Sequence, residues 1–317
     1  MQKNIQSDLP YEDEIDLREL FKVLWINKIK IIIFTSIFAL GSIIYSLSLP
    51  NQYKATVLLA PAQESENDLS GSLGRLGGLA SVAGFSFDNN DVDKSKIAQE
   101  VMESWSFIDS FISKNNLSVK IYAVNNWSKE SNQLYFDENL YDMEKKRWLI
   151  ENSSGVQGPP TSWELYENFS GRLEILQSQA GLISISIEYF SPQIAKKWVD
   201  MYVDSINQYM QEREIVKVTN NINYLKDQIN KTSISEMKEA FYNIMEEQIK
   251  NKMLAEASPD YVFAPVGPSM IPEKKSKPSR SIICFFGTLI GFLLSTFSVF
   301  MIHYLKNSEG DRAVISK

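Results

Sequence analysis

The chain has 317 residues, of which 44% are hydrophobic and 22% are charged, and its formal net charge at pH 7 is −7. This length allows about two domains, and the negative charge argues against nucleic acid as a partner. The single cysteine, Cys284, lies in an apolar run, so no disulfide is expected within the chain.

The first 30 residues begin with a polar tail and continue as an amphipathic stretch. The apolar residues of this stretch recur at helical spacing: Leu17, Leu20, Phe21, Leu24 and Trp25. This spacing predicts a short helix at the membrane interface. A docking helix for a cytoplasmic partner is the alternative.

Residues 31–49 contain no charged side chain and no proline. A run of this length crosses a roughly 30 Å hydrocarbon core as a helix, and it exceeds the apolar region of a typical signal peptide. We therefore predict a retained transmembrane helix. Lys22, Lys28 and Lys30 crowd its N-terminal side, so the positive-inside rule places that side in the cytoplasm.

Two different patterns follow the first apolar run. Residues 53–60 are rich in β-forming residues and are followed by Pro61, which predicts a strand. Residues 70–87 contain several glycines, but no lysine follows any of them. The phosphate-loop pattern is therefore absent, and a flexible, apolar surface loop is expected.

The middle of the chain shows weaker patterns. Residues 91–114 carry apolar residues at helical spacing, whereas residues 115–160 look irregular. A short helix is predicted over 161–169. Residues 172–177 and 182–189 predict a β-hairpin, and the alternation of apolar and polar residues in its second strand predicts one face in contact with water.

The longest periodic segment is 192–231. Its apolar residues repeat every three or four positions, and Pro192 suits a first helical turn. Such a helix is roughly 60 Å long, so a compact domain cannot cover it, and it must project as a strut or pack against copies of itself. Its distal apolar residues are therefore a candidate oligomer interface: Ile222, Leu225 and Ile229.

The chain then returns toward the membrane. Ser233 and Glu236 have the spacing of a capping box, which predicts a second helix over about 234–256. Residues 261–263 predict a short strand. Four prolines then space out an extended, stiff approach over 265–280: Pro265, Pro268, Pro272 and Pro278.

A second uncharged run, residues 281–304, predicts a second transmembrane helix. Lys306 and Arg312 follow it and agree with a cytoplasmic C-terminus. Gly287 and Gly291 form a GxxxG pattern within the run. This pattern permits close contact either with the first span or with a helix of a partner protein.

Together these elements predict an α+β periplasmic domain with a long projecting helix, anchored by two transmembrane helices. The expected boundaries are a cytoplasmic segment 1–30, a transmembrane helix 31–49, a periplasmic domain 50–280, a second transmembrane helix 281–304 and a cytoplasmic tail 305–317. No catalytic, cofactor or metal site is predicted, because histidine and cysteine occur once each. The histidine, His303, lies at a membrane boundary.

Four passages resemble the Wzz-type polysaccharide chain-length determinants, a family of polysaccharide co-polymerases. They are DEIDLRELFKVLW before the first span, YKATVLLAPAQ after it, FYNIMEEQIKNKMLAEASPDYVFAPVGPSMIPEKKSKPSR, and GTLIG in the second span. A proline-rich approach joined to a glycine-bearing last span is the family's most specific signature. In this chain the signature falls on Pro265, Pro268, Pro272, Lys277, Pro278, Gly287 and Gly291.

The resemblance implies a bacterial inner-membrane protein whose copies assemble into a bell-shaped ring. It implies a role in setting the length of O-antigen or a related lipopolysaccharide glycan, with a Wzy-type polymerase, the growing lipid-linked glycan and the membrane as partners. Some relatives carry a tyrosine-kinase domain after the last span, but residues 305–317 contain no Walker motif, so the chain resembles the non-kinase class and is not expected to be an enzyme. The alternative is a transmembrane adaptor that activates a separate cytoplasmic tyrosine kinase in capsule or exopolysaccharide export.

Overall fold

The computed structural model describes residues 17–62 and 94–315. The glycine-rich segment 70–87 lies outside the described residues. The fold mixes helices and sheets, with one helix of 40 residues and two helices that are long and apolar enough to cross a membrane. The chain divides into two compact units, one of residues up to 49 together with those from 277 onward, and one of residues 50–276.

The elements are labelled here in chain order. The helices are α1 Leu17–Ile26, α2 Lys28–Ser48, α3 Lys94–Glu103, α4 Trp105–Lys114, α5 Ser118–Tyr122, α6 Ser162–Ser170, α7 Pro192–Lys231, α8 Ser235–Ala257 and α9 Arg280–Ile315. The strands are β1 Tyr53–Pro61, β2 Val124–Ser128, β3 Gln133–Phe136, β4 Tyr141–Asp142, β5 Arg147–Trp148, β6 Leu173–Gln177, β7 Ile183–Tyr189 and β8 Phe263–Pro265.

The main sheet has four strands in the order β6-β7-β1-β8, and every pairing is antiparallel. β6 and β7 form the hairpin that the sequence predicts. The last strand lies slightly later than the predicted 261–263, since β8 begins at Phe263 and Pro265 pairs with Leu59 of β1. A proline is tolerated there because β8 is an edge strand, which needs no hydrogen-bond donor on its outer side.

The core forms where the first half of α7 packs on this sheet. Trp198, Tyr202 and Ile206 are buried on one face of α7. The Tyr202 ring makes an edge contact with Phe111 of α4, with 4.9 Å between the ring centres. The Tyr202 hydroxyl donates a hydrogen bond to the Met102 carbonyl at 2.6 Å, and burial raises the pKa of Tyr202 well above its usual value.

Two expectations for the middle of the chain are wrong in detail. The helical spacing of 91–114 belongs to two helices, because the chain is extended at Ser104, whose side chain caps α4 by accepting a hydrogen bond from the Phe107 N–H. Residues 115–160 are more regular than expected and contain α5 and two short hairpins, β2–β3 and β4–β5. Strands of two to five residues are too short to show a clear period in the sequence.

The expectation that one face of the second hairpin strand, β7, contacts water is also wrong. Ser186 and Glu188 of β7 point away from the α7 core, yet they are only 4% and 9% exposed. Ser186 lies within hydrogen-bonding distance of Thr56 on β1, at 2.8 Å, and Glu188 accepts a hydrogen bond from the Ser276 hydroxyl. The polar face of β7 is therefore covered by the neighbouring strand and by the returning chain.

The predicted capping box does not form. α8 begins at Ser235, with Ile234 at its N-cap and no capping hydrogen bond from a side chain. Thr232 and Ile234 are both extended, so Ser233 lies in the short connection before the cap rather than at it.

Candidate functional site

Asn207 of α7 binds the segment that returns from α8 to the sheet. Its side-chain oxygen accepts hydrogen bonds from the Val262 and Phe263 N–H groups at 3.0 and 2.9 Å, and its side-chain nitrogen donates to the Phe263 carbonyl at 2.8 Å. Asn207 is only 2% exposed. One buried amide therefore connects the long helix to the start of β8.

Further side chains continue this connection. Gln211, one turn along α7, donates to the carbonyls of Ala255 and Ser258 at 2.7 and 3.1 Å. Nearer the start of α7, Asp200 accepts a hydrogen bond from the Ser269 hydroxyl. We name Asp200, Asn207 and Gln211 the return clamp, because all three hold the chain that returns from α8.

The return clamp was not identified from the sequence, because polar residues on a long helix usually face water. One signal was present: Asn207 lies between Ile206 and Met210, two residues of the buried stripe. A polar residue inside an apolar stripe is expected to have a specific hydrogen-bond partner.

The proline-rich motif lies on the segment that the return clamp holds and just beyond it. Residues 266–276 form neither helix nor strand. The side chains of Pro265, Pro268 and Lys277 are exposed, whereas Pro272 and Pro278 are half-buried. The extended, stiff conformation expected for this approach and a functional role for these residues remain predictions.

The candidate interface residues Ile222, Leu225 and Ile229 do not lie on an outer surface. They are 8%, 1% and 7% exposed within a single chain, and Leu225 and Ile229 pack against Phe241 of α8. Within a single chain α8 therefore packs over Leu225 and Ile229, and a contact of this stripe with other copies of the chain remains a prediction. Other apolar residues of the helical pair are exposed instead: Val216, Tyr242, Ile249 and Met253.

The two glycines of the second apolar helix face the first. A Cβ atom added at Gly287 would lie 2.5 Å from the Cβ of Ser42, and one added at Gly291 would lie 2.5 Å from the Cβ of Phe38. One turn further along, the hydroxyls of Ser295 and Thr35 are 3.4 Å apart. Of the two partners left open by the sequence, the first span therefore occupies the space beside both glycines.

Among the described residues, no group of three or more His, Cys, Asp or Glu side chains is arranged to hold a metal ion. Two charged groups, Arg172 and Asp204, have shifted pKa values. The Arg172 guanidinium lies 5.6 Å from the centre of the Tyr189 ring, and burial lowers the pKa of Arg172. Burial, together with the nearby charges of Asp200 and Asp260, raises the pKa of Asp204.

A family model described as Wzz, chain length determinant protein, matches residues 13–115. This range includes the passages 13–25 and 53–63 that carry the resemblance near the first span. No curated protein sequence matches the chain.

Several solved structures are similar to the chain at low identity. A full-length bacterial polysaccharide co-polymerase has 14% identity and a TM-score of 0.36, covering 93% of this chain and 99% of that one. A fragment of WzzB, the polysaccharide co-polymerase from Salmonella Typhimurium, has 13% identity and a TM-score of 0.31, covering 72% and 100%. A mutant of the Shigella flexneri lipopolysaccharide O-antigen chain-length regulator WzzBSF has 10% identity and a TM-score of 0.20, covering 71% and 100%. The resemblance to the Wzz chain length determinants is confirmed by the family match over residues 13–115.

Proposed function

We propose that this protein regulates the chain length of a surface polysaccharide, either O-antigen or a related lipopolysaccharide glycan, as an oligomeric membrane scaffold. The observation that carries this proposal is the match of residues 13–115 to the chain length determinant family. The scaffold acts beside a Wzy-type polymerase in the bacterial inner membrane. It has both termini in the cytoplasm and residues 50–280 in the periplasm.

The packing of the chain supports a scaffold. α2 and α9 contact each other closely enough to form a paired anchor, and α7 is roughly 60 Å long. The helical pair α7–α8 exposes large apolar side chains, including Val216 at 60% and Met253 at 64%. Exposed apolar groups of this kind suit contact with further copies of the chain.

A deletion strain tests the proposal. Loss of the protein should broaden or shorten the length distribution of the surface polysaccharide on a gel, without abolishing the glycan, and the plasmid-borne gene should restore the distribution. An unchanged distribution would contradict the proposal. Loss of cytoplasmic tyrosine phosphorylation in the deletion strain would instead favour the kinase-adaptor alternative.

A further inference from the structure

An aromatic face lies where α4 and α6 pack side by side. One hydrogen bond joins α6 to α4, from the Ser162 hydroxyl to Asp109 at 2.6 Å. A second joins α6 to the end of α3, from the Tyr166 hydroxyl to the Glu103 carbonyl at 3.3 Å. Trp105 begins α4, between Glu103 and Asp109 along the chain. Trp105 and Asp109 are one helical turn apart on the same side of α4, and Ser162 and Tyr166 are one turn apart on the same side of α6. Since Asp109 meets Ser162, Trp105 lies on the side of α4 that faces α6.

Each of the two helices exposes a tryptophan. Trp105 is 46% exposed and Trp163 is 56% exposed. We call Trp105, Trp163 and Tyr166 the tryptophan face. An indole is a large apolar surface whose exposure to water is costly, and exposed apolar surfaces that lie together mark interaction sites.

The indole of Trp163 is held in a fixed orientation although it is exposed. Its N–H donates a hydrogen bond to the Glu167 carboxylate at 2.9 Å, and its ring centre lies 5.2 Å from that of Tyr166. A ligand that stacks on this ring does not have to order it, so less binding free energy is lost to side-chain entropy.

We propose that the tryptophan face binds a segment of an uncharged polysaccharide; this inference rests on the proposed function and gives that function a glycan contact. One side of a pyranose ring presents C–H groups, which stack on the apolar face of an indole. Its hydroxyls are donors, and the carboxylates of Glu167 and Asp109 accept hydrogen bonds at the margin of the face. The surface therefore offers both kinds of contact that a neutral sugar needs.

The charge of the face favours a neutral sugar over other occupants. Glu103, Asp109 and Glu167 are acidic and would repel an acidic glycan or the anionic headgroups of a membrane surface. A second copy of the chain would bury these carboxylates, which is costly unless cations pair with them. A neutral glycan leaves them partly in water and uses their acceptor capacity.

Direct binding by the full chain in lipid nanodiscs tests the inference. The probe is the uncharged fraction of the host's surface polysaccharide, released from its lipid by mild acid, recovered in the flow-through of an anion-exchange column and separated by size, with hyaluronan as an acidic control. The double variant Trp105→Ala/Trp163→Ala should bind the neutral glycan at least about ten-fold more weakly than the wild type in calorimetric titration, since two stacking contacts are lost. The control is Tyr135→Ala, which removes an aromatic residue of similar exposure, 53%, from β3.

The outcomes separate this inference from the proposed function. The control should keep the wild-type affinity, and the wild type should bind hyaluronan poorly. Equal affinities of the double variant and the wild type, no glycan binding by the wild type, or preferential binding of hyaluronan would each overturn the inference. A double variant that no longer forms oligomers would assign the tryptophan face to a second copy of the chain. In all these cases the deletion strain still decides the proposed function.

Discussion

At the scale of single residues, Asn207 makes three hydrogen bonds to the backbone at the start of β8 from a position that is almost fully buried. Asn207→Ala removes the partner of these backbone groups, so we expect a loss of about 2–3 kcal/mol in the free energy of unfolding. Thermal unfolding of the purified protein measures the loss. Gln208→Ala, at the exposed neighbouring position, is the control and should change stability by less than about 0.5 kcal/mol. Equal stabilities of the two variants would contradict a structural role for the return clamp.

Asp204 gives a prediction of pH dependence. Burial and the charges of Asp200 and Asp260 raise its pKa in the folded state above the unfolded value. The folded state therefore binds the proton more tightly, and this contribution to stability is lost as the pH rises from about 4 through the folded-state pKa. Asp204→Asn should raise the apparent Tm at pH 7 by about 1 °C, and the gain should disappear below pH 4. A gain of the same size at both pH values would exclude titration as its cause.

At the scale of elements, the pairing of α7 with α8 depends on a small apolar contact around Leu225. Leu225→Ala leaves a cavity beside Phe241, and we expect it to lower the free energy of unfolding by about 2–4 kcal/mol. Hydrogen exchange should show faster exchange of backbone amides in α8. Met253→Ala, at a position that is 64% exposed, is the control and should leave exchange unchanged. A Leu225→Ala protein with normal stability but without oligomers would instead indicate that the stripe of Ile222, Leu225 and Ile229 forms an interface between chains.

The membrane helices give a second prediction at this scale. Gly287→Ala places a methyl group 2.5 Å from the Ser42 Cβ, so α2 and α9 must move apart. We expect a lower apparent Tm in detergent and a shorter or broader glycan-length distribution. The second change Ser42→Gly removes the clashing atom and should restore part of both properties. Gly41→Ala is the control, because a Cβ there meets no atom within 4 Å. An effect of Gly41→Ala equal to that of Gly287→Ala would contradict this packing.

At the scale of the whole molecule, the prediction concerns topology. Lys22, Lys28 and Lys30 precede the first span, and two spans return the chain to the side on which it starts. A reporter fused at Asn67 should therefore give a periplasmic signal, and a reporter at the C-terminus should give a cytoplasmic one. A periplasmic signal at the C-terminus would overturn the proposed orientation.

The features that depend on local pattern could be predicted from the amino-acid sequence. Two long apolar runs predict the candidate spans, and α7 has in the structure the bounds that its periodicity predicts. The β6–β7 hairpin is also found where alternation predicts it. These features were predictable because helical and strand periods are properties of neighbouring residues, and the length of an apolar run is visible directly in the sequence.

Which segment covers each helix or strand face can be seen only in the folded chain. Periodicity shows that Leu225 belongs to an apolar stripe, but it does not show that α8 of the same chain covers the stripe. It likewise cannot show that the returning chain covers Glu188 or that Asn207 binds the β8 backbone, because these partners are 88 and 56 positions away along the chain. Gly287 faces α2 for the same reason, since the contact joins opposite ends of the chain. Burial of a residue depends on distant segments brought together by folding, and a local pattern contains no information about which segments those are.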